Sequence, residues 1–391
     1  MGARGDGTVS TPAVRQRPDY LLLLAVAALV ILGLDMVYSA SYVLAHNSPT
    51  YGSDTYFLVR QALWAAIGTV LLLVLQVVDY HLWQRLTVPL MGLTLALLAA
   101  VLVSHLGHAA YGAQRWLRLG PLPPVEPGEF GKLSLILYCA DWLGRRRDRL
   151  GSFRATTLPF TLIVAVVCGL IVLQPDLGSA FVVAATAGAM FFIAGADLRH
   201  LLLVLGGGAA ALVVLVLNAP YRFERVLAYM DPTKDPLGIG WNTLQAEIAL
   251  GSGGLLGRGL GASRQKFYYL PNAHTDAIFA VIGEELGLIG AAAVILLFAL
   301  IGLRGFRIAL RAPDPFGALL AAGITTGLVS QALINIAVVT AVVPFTGIPL
   351  PLVSFGGSSL ITSLMGIGLL LSVSRRASPP EPAVRAGQEA P

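Results

Sequence analysis

The sequence predicts an all-α integral membrane protein with about ten transmembrane helices and a large extracytoplasmic loop between the seventh and eighth spans. Three observations carry that expectation. The 391-residue chain is 56% hydrophobic and 12% charged, about half the roughly 25% charge of a soluble domain. Its mean hydropathy is +0.76. Apolar runs of the roughly 20 residues needed to cross the hydrocarbon core recur from Leu21 onward. The 43 glycines fit as well, because small residues let transmembrane helices approach closely.

The elements follow in order. Residues 1–19 form a polar, Arg-containing cytoplasmic leader. The first apolar run carries no small-residue cleavage pattern, so it reads as a retained span and not a signal peptide. Spans are expected over 20–45, 58–78, 85–106, 129–144, 156–174, 177–194, 198–218, 276–302, 315–342 and 354–374. They form one membrane domain over 20–376, and the Pro-, Ala- and Glu-containing tail 377–391 reads as a disordered cytoplasmic segment. Cys139 and Cys168 fall inside apolar runs and read as small core-filling residues.

Lys and Arg placement sets the orientation. With the N-terminus inside, 16 of the 26 basic residues are cytoplasmic, among them Arg4, Arg15, Arg17, Arg145, Arg146, Arg147, Arg149, Arg304, Arg375, Arg376 and Arg385. Six of the other ten lie in the 219–275 loop, and long loops are translocated largely regardless of charge. Both termini are therefore expected in the cytoplasm. A loop this long is functional or disordered, and its aromatic and apolar content argues against disorder. Within it, Trp241–Leu250 reads as a short amphipathic helix along the interface.

Charges at the edge of a membrane are costly, so each needs a partner or a function. The outer-edge set is Arg115, Glu129, Lys132, Asp176, Arg222, Arg225, Lys266, His274, Asp276, Glu284 and Glu285. Asp276 opens the eighth span, where a carboxylate reads equally as a helix cap or as a general base. Glu284 and Glu285 lie about 12–13 Å deeper along an unbroken helix, and pairing of one of them with Lys132 is the expected role. Glu129 and Lys132, spaced i, i+3, share a helix face and read either as a self-contained ion pair or as a support for an anionic head group. Trp116 beside Arg115 reads as an interfacial anchor. Arg115, Arg222, Arg225, Lys266 and Lys132 together read as a cationic rim suited to a pyrophosphate-linked lipid. The glycine-rich turn Leu352–Ser359, with Ser354 inside it, reads as a tight turn or as an anion site near a helix start.

Absences narrow the chemistry. No Gly-x-x-x-x-Gly-Lys-Ser/Thr loop occurs, so ATP-driven pumping is not expected. There is no Asp-x-Asp and no His/Cys cluster with metal-ligand spacing. No cofactor is evident, no metal ligand set is assigned, and nothing points to nucleic acid.

The segments Gly259–Lys266, Leu270–Asp276, Ile278–Gly287 and Pro349–Ser359 resemble the SEDS family (shape, elongation, division, sporulation). So do Tyr38–Ser41, Arg115-Trp116, Gln174–Gly178, Tyr221-Arg222 and Asp231-Pro232, in the family's order over about residues 18–376. The Ser-x-Gln-Lys at 263–266 resembles the division branch, FtsW, more than the elongation branch, RodA. The resemblance implies a peptidoglycan glycosyltransferase that polymerises lipid II at the outer face of the cytoplasmic membrane and partners a class B penicillin-binding protein and other divisome proteins. It places the essential acid at Asp276; the reading of the outer-edge residues sets Arg115, Trp116, Lys132, Arg222, Arg225, Lys266, His274 and Ser354 toward substrate and Glu129, Asp176, Glu284 and Glu285 in support. A divalent cation, Mg or Mn, would fit at the pyrophosphate. The chain departs from the family's pattern at Asn272, where Glu is usual, at Ala277, where Phe is usual, and in Glu126-Pro-Gly-Glu129, where Gln-Pro-Ser-Glu is usual. The competing expectation is a lipid II flippase, which would need ionisable residues reaching the inner half of the spans; here they cluster toward the outer half. A scaffold for divisome assembly is a third.

Overall fold

The computed structural model describes residues 18–49, 51–103, 107–110, 113–117 and 124–376. The expected leader and tail, with Arg4, Arg15, Arg17 and Arg385, otherwise lie outside the described residues. Among the described residues twelve α-helices run in order: α1 (Tyr20–Asn47), α2 (Tyr56–Leu75), α3 (Tyr80–Leu102), α4 (Pro127–Gly144), α5 (Leu158–Leu173), α6 (Leu177–Ile193), α7 (Leu198–Leu217), α8 (Pro220–Met230), α9 (Trp241–Gly253), α10 (Ile278–Leu310), α11 (Pro315–Val339) and α12 (Gly357–Ser374). A two-stranded antiparallel hairpin, β1 (Gly107–Ala110) and β2 (Ala113–Leu117), sits between α3 and α4.

Local chemistry starts these helices. Asp19, Asp79, Asp176, Asp197 and Asp314 each accept a hydrogen bond from a first-turn N–H of the helix they precede, satisfying donors that have no intrahelical partner. Proline opens α4, α8 and α11, where its missing N–H is harmless. Among the described residues eight helical segments are long and apolar enough to cross a membrane: α1, α2, α3, Phe153–Leu173 (which contains α5), α7, α10, α11 and α12. The shorter α6 is also apolar. The expected fourth span, α4, is set apart by Glu129, Lys132 and Asp141. This is a multi-pass helical membrane protein.

Packing is uneven. In the most apolar stretch of α12, 83% of residues are buried, against 6% in α7. The core therefore lies around α12, α10, α11 and α4, with α2 against α12, α9 and α1 against α10, and α6 against α11.

Four expectations need correction. The third span begins at Tyr80, not 85, because Asp79 caps it. The 219–275 segment holds two helices, not one: α8, which the hydropathy of the region hides, precedes α9. Helix α9 does not lie free along the interface; it packs on α10, burying Gln245, Ala246, Ala249 and Gly253. The eighth span is not a continuous rod. Gly287 takes φ 67° and ψ −166°, a backbone state that favours glycine, and it divides α10 into a short lead segment and a long one.

Candidate active site

The break at Gly287 decides what the lead segment of α10 does. It frees the carbonyls of Glu284 and Glu285 to accept from the N–H groups of Arg258 and Gly259, both at 3.0 Å. Beyond the break, Leu288 N–H donates to the Gly254 carbonyl at 2.9 Å. The chain between α9 and α10 is thereby stitched onto the broken helix.

The two glutamate side chains complete the stitching. Glu285 is fully buried and accepts from Ser39 Oγ at 2.7 Å, Gly261 N at 2.9 Å, Ser263 N at 3.2 Å and Lys266 Nζ at 3.2 Å. Glu284 accepts from Ser263 Oγ, Arg264 N at 2.9 Å and Gln265 N at 3.3 Å, with Arg258 Nε 3.8 Å away. Neither reaches Lys132, contrary to expectation. Lys132 Nζ instead meets Glu129 at 2.8 Å and Gln331 at 2.7 Å. Lys266 is 8% exposed and also donates to Ser39 Oγ at 3.1 Å and the Gly261 carbonyl at 2.6 Å. All its donors are used inside the protein, so it is not part of a cationic rim.

Past Lys266 the same segment turns outward to form a wall. Asn272 adopts φ 52°, which asparagine tolerates, and its carbonyl accepts from both Thr275 N at 2.9 Å and Thr275 Oγ1 at 3.1 Å. That turn delivers Asp276. Its carboxylate accepts from Thr275 Oγ1 at 3.0 Å, and its backbone carbonyl is held by Asn335 Nδ2 at 2.7 Å. The helix-cap reading is corrected here: Ala277 occupies the cap position of α10, and no side chain caps that helix. Gly347, at φ +72°, passes close to Asp276 Oδ2. Burial pushes the Asp276 carboxyl up to about 6, while Thr275, neighbouring backbone N–H groups and Arg225 pull it the other way.

Asp276 opens onto a groove of about 810 Å³. One wall is the α2 face bearing Tyr56, Arg60 and Trp64, spaced i, i+4, i+8. Another is the α8 face bearing Tyr221, Glu224, Arg225 and Ala228. Arg115 and Trp116 of β2, Glu126 and Glu129 at α4, Asp176 and Ser179 at α6, and Gly356 to Ser359 at α12 also line it. Arg115 donates to the Pro175 carbonyl at 2.7 Å and lies 3.5 Å from Asp176. Arg225 is exposed and reaches the Phe345 carbonyl at 3.5 Å.

Of the residues expected at substrate, Arg115, Trp116, Arg225 and Asp276 line this groove, as do Glu129 and Asp176. Five others do not. Lys132 and Lys266 are taken as described. Arg222 turns back to donate to the carbonyls of Leu215 at 3.0 Å and Val172 at 3.4 Å and to Tyr221 Oη at 2.8 Å, so it fastens α8 to the ends of α7 and α5. His274 is buried between Phe57 and Phe355, ring centres 4.7 and 5.7 Å away. Burial holds its imidazole down at about 4, hence neutral. Ser354 Oγ accepts from Leu350 N at 2.8 Å and donates to the Thr275 carbonyl, bracing the turn behind Asp276. The sequence reading missed Arg60 and Glu224, and it gave no role of their own to Glu126 and Ser359, although it singled out the segments that hold them. The i, i+4 spacing of Tyr56 and Arg60 and the unusual acid at 126 were the available signals.

Comparison with known proteins now bears on this geometry. The model of the cell cycle protein family FtsW/RodA/SpoVE matches residues 19–378. The chain belongs to this family. It is 44% identical over 359 residues to a probable peptidoglycan glycosyltransferase FtsW of Trichlorobacter lovleyi, covering 91% of this chain and 93% of that one. It is 43% identical over 358 residues to the stage V sporulation protein E of Bacillus subtilis, covering 92% and 97%. A solved chain from "Structural coordination of polymerization and crosslinking by a peptidoglycan synthase complex" superposes with a TM-score of 0.73 at 36% identity, covering 92% and 98%. The division and sporulation members match almost equally, so identity alone does not separate those two roles within the family.

Proposed function

We propose that this protein is a peptidoglycan glycosyltransferase that polymerises lipid II, with Asp276 as the general base. The observation that carries the reading is one buried carboxylate with a single side-chain donor, set in a groove that is also lined by arginine and aromatic side chains. A group poised near 6 is ionised at neutral pH yet still basic enough to take a proton.

The reaction balances as a one-step inversion. The acceptor sugar 4-hydroxyl oxygen attacks C1 of the donor sugar while its proton passes to the Asp276 carboxylate. The bond from C1 to the pyrophosphate oxygen breaks, and the electron pair leaves with undecaprenyl pyrophosphate. The base side needs Asp276; the departing side needs positive charge or N–H donors. Arg115 and Arg225 supply charge in the groove. Aromatic faces of Tyr56, Trp64 and Trp116 suit sugar rings.

Orientation supports surface chemistry. With the groove outward, the Arg145, Arg146, Arg147 and Arg149 run falls on the cytoplasmic side, as do both termini. Among the described residues, no three His, Cys, Asp or Glu side chains converge to hold a metal ion. A divalent cation bound partly by the substrate's own phosphates needs only one or two carboxylates, and Glu126 or Asp176 would be its protein ligands. In that position it would neutralise leaving-group charge. A class B penicillin-binding protein is the proposed partner, supported by the likeness to a chain of a peptidoglycan synthase complex, and division is the proposed setting, supported by the FtsW relatives.

The test is polymerisation in detergent, where no bilayer exists to be crossed. Purified protein with a partner transpeptidase is expected to make glycan strands from lipid II. A preparation that makes none but moves lipid II across vesicles would replace this reading with the flippase.

A further inference from the structure

Three helix starts meet at one end of the groove. Glu126 and Glu129 belong to the start of α4, Asp176 and Ser179 to the start of α6, and Gly356 to Ser359 to the start of α12, and all line the same space. Glu126 N–H donates to Ser358 Oγ at 3.0 Å, tying the first of these helices to the third. Each start presents the positive end of a helix dipole.

The three are capped differently. Asp176 caps α6 through Ser179 N–H at 3.0 Å. Pro127 at the first position of α4 has no N–H to offer. Helix α12 has no side-chain cap, so its first-turn N–H groups lack intrahelical partners. Within that turn, Ser359 is 8% exposed, lines the groove, and its hydroxyl has no hydrogen-bond partner. A buried hydroxyl without a partner is costly. One aimed into a cavity beside an uncapped helix start marks a place where an anionic ligand completes the set.

We propose that the pyrophosphate of the donor is held where α4, α6 and α12 begin, by the first-turn N–H groups of α12, the Ser359 hydroxyl and Arg115. This rests on the glycosyltransferase reading and relocates the leaving-group site away from Lys132, Lys266 and Arg222, which are bonded elsewhere and do not line the groove. The site is coupled to the base: Ser354 Oγ and Phe355 N–H, just before α12, bond the carbonyls of Thr275 and His274, just before Asp276.

The experiment is binding of farnesyl pyrophosphate to the full chain in detergent, with farnesol as the control for tail binding. Ser359→Ala is expected to weaken pyrophosphate binding about tenfold, the loss of one hydrogen bond to a charged group, and to leave farnesol binding unchanged. Wild-type binding of farnesyl pyrophosphate by Ser359→Ala overturns the proposal. If that happens while lipid II is still polymerised, the glycosyltransferase reading stands without this site. If binding behaves as expected and no polymer forms, the anion site stands and the enzyme reading falls.

Discussion

Asp276 and the Glu284–Glu285 pair lie within one short stretch of chain, yet their carboxylates live in opposite circumstances. Glu285 is surrounded by two backbone N–H groups, a serine hydroxyl and a lysine. Asp276 has one threonine hydroxyl, the neighbouring backbone N–H groups and a groove. A carboxylate whose lone pairs are all engaged is a structural anchor; it has no capacity left to take a proton from a substrate. One held with capacity to spare is a reagent. The difference comes from Gly287. By breaking α10, it turns the Glu284–Glu285 end into an anchor for the Gly257–Lys266 chain, and that anchor fixes the turn that presents Asp276.

This comparison can be broken from the anchor side first. Glu285→Ala leaves the Lys266 ammonium buried without its partner, and loss of one member of such a pair costs about 3–5 kcal/mol. Chemical or thermal unfolding is expected to show a strongly destabilised or unfolded protein. The double variant Glu285→Leu with Lys266→Met is expected to recover much of that loss. If Glu285→Ala folds normally and only loses activity, the anchor assignment is wrong.

Gly287→Ala comes next. A Cβ there would lie 2.3 Å from Gly257 N on a backbone at φ +67°. Strain of this kind costs on the order of 1–3 kcal/mol, and Tm is expected to drop, with increased protease cleavage between α9 and α10. Unchanged Tm and cleavage would mean that the break is not needed to hold this chain.

On the reagent side, the pH profile should report Asp276. Its carboxyl lies above the ordinary aspartate range, so the base form is present above about pH 6 and is lost as pH falls through that value. The expected kcat therefore falls about tenfold per unit below that point. A flat profile from pH 5 to 7 would detach the proton transfer from Asp276. The smallest effect belongs to Arg222→Gln. Because Arg222 is spent on carbonyls, KM for lipid II is expected to change less than about threefold, with any loss showing in stability. A large KM effect would return Arg222 to the substrate.

Much of this was legible in the chain. The apolar runs give the membrane class and nearly every helix, and the stretch from Leu270 to Asp276 marks the acid at a helix start. What stayed hidden depends on contacts distant in sequence. Nothing local to Lys266 shows that Ser39 and Glu285 will use its charge, since one partner lies on α1. The break at Gly287 is hidden inside an apolar run, where hydropathy sees only a span. Arg222, in a motif beside Tyr221, looks free until α8 is seen packed against the ends of α5 and α7. The turn ending at Ser359 reads equally as a tight turn or an anion site until the groove places it at an uncapped helix start. Asn272 departs from the family's usual residue, and in this chain it holds the left-handed backbone of the turn, which asparagine accepts.

The most direct measurement compares Asp276→Asn with wild type for lipid II polymerisation and thermal stability in the same preparation. The account predicts a loss of about 10²–10⁴ in rate, with Tm within about two degrees of wild type, since Asp276 caps no helix and its backbone carbonyl contact to Asn335 is untouched. Wild-type rates from the variant, or lost activity that follows an equally large drop in Tm, would contradict it.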